Sequence, residues 1–157
     1  MNNIIQPSRS MIKIFGIVGL INFIVFFLLW NYLSNEEYSN VPLRLIAAFL
    51  CFLLAISDYW PTKTRSYIIP FWYITICYCL PFFGAYMFLV NHSSPAWSSN
   101  IIIGLFWLVL ITDWLTFIVT LVVGSFLGTI YYKLSHGAIH LPSGEVTGIY
   151  SNYIWSH

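Results

Sequence analysis

Residues 100–132 read NIIIGLFWLVLITDWLTFIVTLVVGSFLGTIYY, 33 positions with a single charge, Asp113, near the middle. As one helix this stretch would run about 50 Å at 1.5 Å per residue, against a bilayer hydrocarbon core of about 30 Å. Two short spans turning around Asp113-Trp114 fit both lengths; one long tilted helix is the alternative. Three further apolar runs precede it, at 11–30, 41–57 and 67–90. Each lies in the range of about 17–25 residues that a spanning helix needs. Pro42 and Pro70 sit near the starts of the second and third, where a missing N–H is tolerated. The first run is longer than a signal-peptide core and has no small-residue cleavage site after it, so it is read as a retained span.

Composition points the same way. Of 157 residues, 59% are hydrophobic, 20% aromatic and 7% charged, whereas soluble domains carry about a quarter charged residues. Such a chain cannot cover its surface against water, and most of it must be solvated by lipid. Six basic and five acidic side chains give a net charge of +1, which excludes a nucleic-acid binder. Cys51, Cys77 and Cys79 all fall inside apolar runs, as buried thiols do, and form no disulfide framework. The expected fold is all-α, a polytopic transmembrane helix bundle. Its spans are at about 11–30, 41–57, 67–90, 100–112 and 115–132, with the start of a sixth at Tyr153-Ile154-Trp155. One transmembrane domain over 1–157 is expected, with no room for a soluble domain.

Charge placement sets the expected topology. Arg9 and Lys13 flank the first span, and Lys63 and Arg65 lie between the second and third. The loops at 31–40 and 91–99 hold no Lys or Arg, and the first carries Glu36 and Glu37. The positive-inside rule places the N-terminus in the cytoplasm and these two loops outside. Lys133 is the exception, since five spans put it outside.

Several motifs occur in order: Tyr38-Ser39-Asn40-Val41-Pro42-Leu43-Arg44-Leu45, Tyr59-Trp60-Pro61, Phe71-Trp72-Tyr73 running into Leu80-Pro81-Phe82-Phe83, then Trp97, then Asp113-Trp114. Together they resemble the membrane sensor region of the bacterial quorum-sensing histidine kinases that detect α-hydroxyketones, the Vibrio and Legionella type. The resemblance covers about residues 11–155. It implies a six-span receptor of the bacterial inner membrane, with both ends cytoplasmic, that binds a long-chain hydroxyketone and controls an attached kinase and phosphorelay. Here the sixth span only begins, and nothing resembles a phosphoacceptor helix or an ATP-binding domain. Kinase activity is therefore not carried over: the expectation is a truncated receptor or a fragment that binds a lipophilic signal and is not itself an enzyme. The other reading is a small polytopic membrane protein with a structural, transport or lipid-modifying role.

An oily ligand with a two-oxygen head needs an apolar channel and one or two hydrogen-bonding groups away from water. Trp97, Asn100, Gly104, Trp107, Ile111 and Trp114 recur at alternating three- and four-residue steps, which places them on one helix face. Gly104 leaves a notch between Trp97-Asn100 and Trp107. The resemblance points to the same face, since relatives place a Trp and, one turn later, a small polar residue at the start of this span; Asn100 stands where serine is usual. The alternative is that Trp97 and Trp114 are interfacial belt residues.

Arg44 either snorkels outward beside Glu36 or Glu37, or turns inward to the ligand or to helix packing. Pro81 cannot donate to the carbonyl of Cys77, so a kink or local opening is expected there, with Cys77, Tyr78 and Cys79 candidates for the cavity wall and plain packing the alternative for the cysteines. Asn22 is either an inter-helix hydrogen-bonding group or a pocket group. Gly124 and Gly128 form a small-xxx-small pair, for packing within the chain or a homodimer contact. Asp58 and Asp113 are expected as solvated helix ends or partners of Lys63 and Arg65. His136 and His140 would suit a metal only on a helix, and Gly137 and Pro142 favour a loop, so neither metal nor cofactor is expected.

The topology yields a direct test. In a variant freed of its native cysteines, Glu36→Cys and Lys63→Cys should react with an impermeant thiol reagent from opposite faces of the membrane. Reaction of both from one face contradicts the span assignment.

Overall fold

The structure, a computed structural model, describes residues 7–33, 40–92 and 95–136. Glu36, Glu37, His140 and the start of the sixth span lie outside the described residues. Every regular element among the described residues is helical. Helix α1 is Arg9–Leu33, α2 is Val41–Ala55, α3 is Ile68–Cys77, α4 is Phe83–Val90, α5 is Pro95–Ile111 and α6 is Trp114–His136. A π-helical turn, Tyr78–Phe82, joins α3 to α4, so these three form one rod. Single 3₁₀ turns, Ser57–Tyr59 and Arg65–Tyr67, lie in the connection from α2 to that rod.

Local chemistry explains the breaks. The Asn40 side chain accepts from the Leu43 N–H at 3.2 Å and caps α2, with Pro42 in its first turn. In the long 100–132 stretch, Asp113 accepts from the Thr116 N–H at 3.1 Å and from the Thr116 hydroxyl at 2.7 Å. That satisfies one free N–H group at the start of α6, and α5 ends two residues before the aspartate. The π turn sits at Pro81. A proline removes one N–H from the ladder, and a widened turn is one of the few ways a helix absorbs that loss without breaking.

Three threonine hydroxyls inside the helices are satisfied locally. Thr75 donates to the Phe71 carbonyl at 2.8 Å, Thr120 to that of Thr116 at 2.6 Å, and Thr129 to that of Ser125 at 2.8 Å. Back-bonding of this kind leaves an apolar helix exterior. The exterior is indeed oily: Ile24, Leu28, Leu45, Phe49, Phe106, Val122 and Phe126 all point outward. Among the described residues, two helical segments, Arg65–Val90 and Trp114–His136, are long and apolar enough to cross a membrane.

Close approaches at small residues pair the helices. A Cβ on Gly16 would lie 2.5 Å from the Ala55 nitrogen and 2.8 Å from the Cys51 carbonyl, so α1 and α2 touch backbone to backbone. A Cβ on Gly124 would lie 2.5 Å from Pro81 Cγ, and one on Gly128 would lie 2.6 Å from the Phe82 carbonyl oxygen. The Gly124/Gly128 pair thus packs against the π turn of its own chain. Between the two pairs lies the core around Trp72, Ile76 and Leu108, with Phe15 of α1 edge-on to Trp72 at 5.0 Å.

Asp58 joins the end of α2 to the start of α1. Its carboxylate accepts from Lys13 Nζ at 2.6 Å, so its ion-pair partner is Lys13 and not Lys63 or Arg65. Arg65 reaches only the Asp58 carbonyl, at 3.2 Å.

The Gly124 contact sets a stability prediction. Gly124→Val should force the rod and α6 apart and cost about 1–3 kcal/mol, seen as a lower unfolding temperature in detergent, while Phe126→Val on the outward face changes it little. Equal unfolding temperatures for Gly124→Val and the parent contradict the packing.

Candidate functional site: a cavity between α1 and α5

A cavity of about 520 Å³ lies between α1, the rod of α3 and α4, and α5, with Arg44 of α2 at one end. Its walls follow from helical spacing. On α5, Trp97, Asn100, Gly104, Trp107 and Ile111 all line it, one face over about 21 Å at 1.5 Å per residue. On the rod, Leu80, Phe83 and Gly84 line it at spacings of three and four. On α1, Phe15, Val18, Gly19 and Asn22 supply the facing wall. A Cβ built on Gly104 meets nothing nearer than Leu80 Cδ2 at 4.0 Å, so this position opens directly onto the cavity.

The polar groups cluster towards one end. Arg44 is 5% exposed, and its guanidinium lies 5.5 Å from the Trp97 ring centre and 5.8 Å from that of Phe83. Phe83 and Trp97 meet edge-on at 6.1 Å. A cation held against two aromatic faces is stabilised by their quadrupoles where water is scarce. Arg44 is thus buried on the cavity side, while Glu36 and Glu37, its expected neighbours in the outward reading, lie outside the described residues. Asn100 on α5 and Asn22 on the facing α1 wall add amide groups. Towards the opposite end the lining becomes Met11, Leu110 and Ile111, with Ser8 and Ser10 at the margin.

The structure gathers Trp97, Asn100, Gly104, Trp107 and Arg44 around this one cavity and leaves Cys77 off its wall. The Cys77 thiol faces α6, 3.8 Å from the Thr120 carbonyl. Cys79 takes the lining position and touches Cys51, with the sulfurs 3.7 Å apart. Two positions apart on a helix means about 200° around its axis, so Cys77 and Cys79 cannot both face the cavity. The α5 stripe also ends at Ile111: Trp114 lies beyond the Asp113 break and is exposed. Pro81, Gly124 and Gly128 act in packing, as described above.

Phe83, Gly84 and Gly19 were not foreseen as lining residues. The available signal was the Leu80, Phe83, Gly84 spacing, which marks one face of the rod beside Pro81.

The carboxylates stand apart from this cavity. The Lys13 ammonium, hydrogen-bonded to Asp58, holds that carboxyl below the usual carboxylate range, with added attraction from Arg9 and Arg65. The Thr116 hydroxyl and backbone N–H do the same for Asp113. Among the described residues no three His, Cys, Asp or Glu side chains are grouped as metal ligands. The arrangement is suited to holding an amphiphile, its polar head near Arg44, Asn100 and Asn22 and its tail along the apolar wall.

No protein-family model matches the chain, and no solved structure matches it. The chain is 33% identical over 101 residues to the CAI-1 autoinducer sensor kinase/phosphatase CqsS of Vibrio cholerae. That match takes in 64% of this chain and 14% of the length of the relative. The resemblance is thus shown as sequence similarity to an autoinducer sensor kinase.

Proposed function

We propose that the chain is a membrane-embedded sensor domain that binds an amphiphilic α-hydroxyketone in the cavity between α1 and α5. The observation that carries this reading is the cavity itself: about 520 Å³, apolar along most of its length, with a buried guanidinium and two amides near one end. A ketone and a vicinal hydroxyl match those donors and acceptors, and the alkyl tail matches the remainder. Similarity to an autoinducer sensor kinase supports the same class of ligand.

In this reading the five apolar helical segments are spans of the bacterial inner membrane. The N-terminus and the Asp58 end are cytoplasmic, and the Arg44 end faces outward. The outward lipid-like surface and the threonine hydroxyls closed onto their own helices support the membrane setting. The ligand acts by differential affinity, favouring one packing of α1 and α5 against the rod. Control of a kinase and phosphorelay belongs to a whole receptor of which this chain is the sensing part.

Position 104 tests the site without removing a packed side chain. Gly104→Phe should fill the notch and weaken equilibrium binding of a long-chain α-hydroxyketone by about tenfold or more, and Trp97→Ala should also weaken it. Phe126→Ala, on the outward face of α6, should bind as the parent does. Parent-like affinity in Gly104→Phe contradicts the proposed site.

A further inference from the structure

One pair of nucleophiles in the cavity wall has no part in holding an amphiphile. Cys51 of α2 and Cys79 of the rod are 0% and 4% exposed, and their sulfurs lie 3.7 Å apart. That is contact distance between side chains 28 positions apart in the chain. Both thiols are held in place. A Cβ on Gly19 would lie 2.6 Å from the Cys51 sulfur, so α1 closes over that thiol from one side while Cys79 meets it from another. The Cys79 sulfur also lies 3.9 Å from the Ala47 carbonyl, one turn of α2 before Cys51.

Cys79 lines the cavity, and Cys51 and Cys77 do not. A small uncharged solute in the cavity therefore meets the Cys79 sulfur, with Cys51 in contact behind it. Cys77 is turned about 200° away around the rod, towards the Thr120 carbonyl, and cannot compete for the same partner. A buried thiol by itself is inert packing. A sulfur open to a cavity and backed by a second thiol is the arrangement in which oxidation ends in a disulfide.

We propose that Cys51 and Cys79 form a dithiol that hydrogen peroxide, reaching Cys79 through the cavity, converts to a disulfide between α2 and the rod. The Cys79 sulfur attacks one peroxide oxygen, the O–O bond breaks, and the departing hydroxide leaves as water with the Cys79 proton. The Cys51 sulfur then attacks the sulfur of the Cys79 sulfenic acid. The S–S bond forms, the S–O bond breaks, and hydroxide leaves as water with the Cys51 proton. Two thiols are oxidised and one peroxide is reduced to two waters. The new bond ties the unit of α1 and α2 to the unit of the rod and α6 at the cavity wall. The inference is independent of which signal the cavity takes.

The test uses the parent chain, with its three cysteines, in detergent micelles. After peroxide treatment the remaining thiols are blocked with N-ethylmaleimide under denaturing conditions, and the digest is mapped by mass spectrometry. A linked Cys51–Cys79 peptide should appear in most molecules, Cys77 should carry maleimide, and dithiothreitol should reverse the link. Cys77→Ser should form the same link, and in Cys51→Ser dimedone should trap a sulfenic acid on Cys79. Peroxide should raise the unfolding temperature of the parent by about 5 °C and leave that of Cys51→Ser unchanged. Three maleimide-labelled cysteines in the treated parent overturn the proposal. So does a link through Cys77 or between two chains, or recovery of Cys79 as sulfinic or sulfonic acid with no linked peptide. A linked form that unfolds with the untreated parent overturns the tie between the two units.

Discussion

The structure depends on how closely its helices can approach where small residues meet. In an apolar medium there is little hydrophobic drive between helices, and association comes from packing and from hydrogen bonds. Gly16 lies against the backbone of Cys51 and Ala55, and Gly124 and Gly128 lie against Pro81 and Phe82. These contacts make two tight units, α1 with α2 and the rod with α6. Helix α5 has no comparable seam, because its one interior glycine, Gly104, faces open space. The cavity is the volume left where α1 and α5 line the rod without closing on one another.

Arg44 gives that volume a polarity. Burying a guanidinium is costly unless its charge is met, and here Phe83 of the rod and Trp97 of α5 supply aromatic faces. The side chain therefore links α2, the rod and α5 at one end, while Lys13 and Asp58 link α1 to α2 at the other. A guest that contacts Arg44 would act on three helices at once. In the proposed reading, that is the route by which occupancy of the cavity changes helix packing.

Much of this was legible because it is local. The break in 100–132 follows from one aspartate whose side chain caps the next helix, and the opening at Pro81 follows from a missing N–H. The face shared by Trp97, Asn100, Gly104 and Trp107 follows from helical spacing alone. Periodicity gives a face but not the neighbour opposite it. Pairing of Lys13 with Asp58, or of Gly16 with Ala55, joins residues some forty positions apart and left no mark in either stretch. Cys77 shows the same limit: the run Cys77-Tyr78-Cys79 announced a thiol near the cavity, but only the rotation of the rod against α6 determines that it is Cys79. The inward turn of Arg44 likewise depends on Phe83 and Trp97 being brought to it from distant parts of the chain.

The central claim is that a long-chain hydroxyketone lies lengthwise between α1 and α5 with its head at Arg44. The most direct measurement is photolabelling by such a ketone carrying its reactive group at the tail terminus, followed by mapping of the modified residue by mass spectrometry. Label is expected on Met11, Leu110 or Ile111, at the far end of the cavity. Label confined to outward residues of α6, such as Val122 or Phe126, would contradict it.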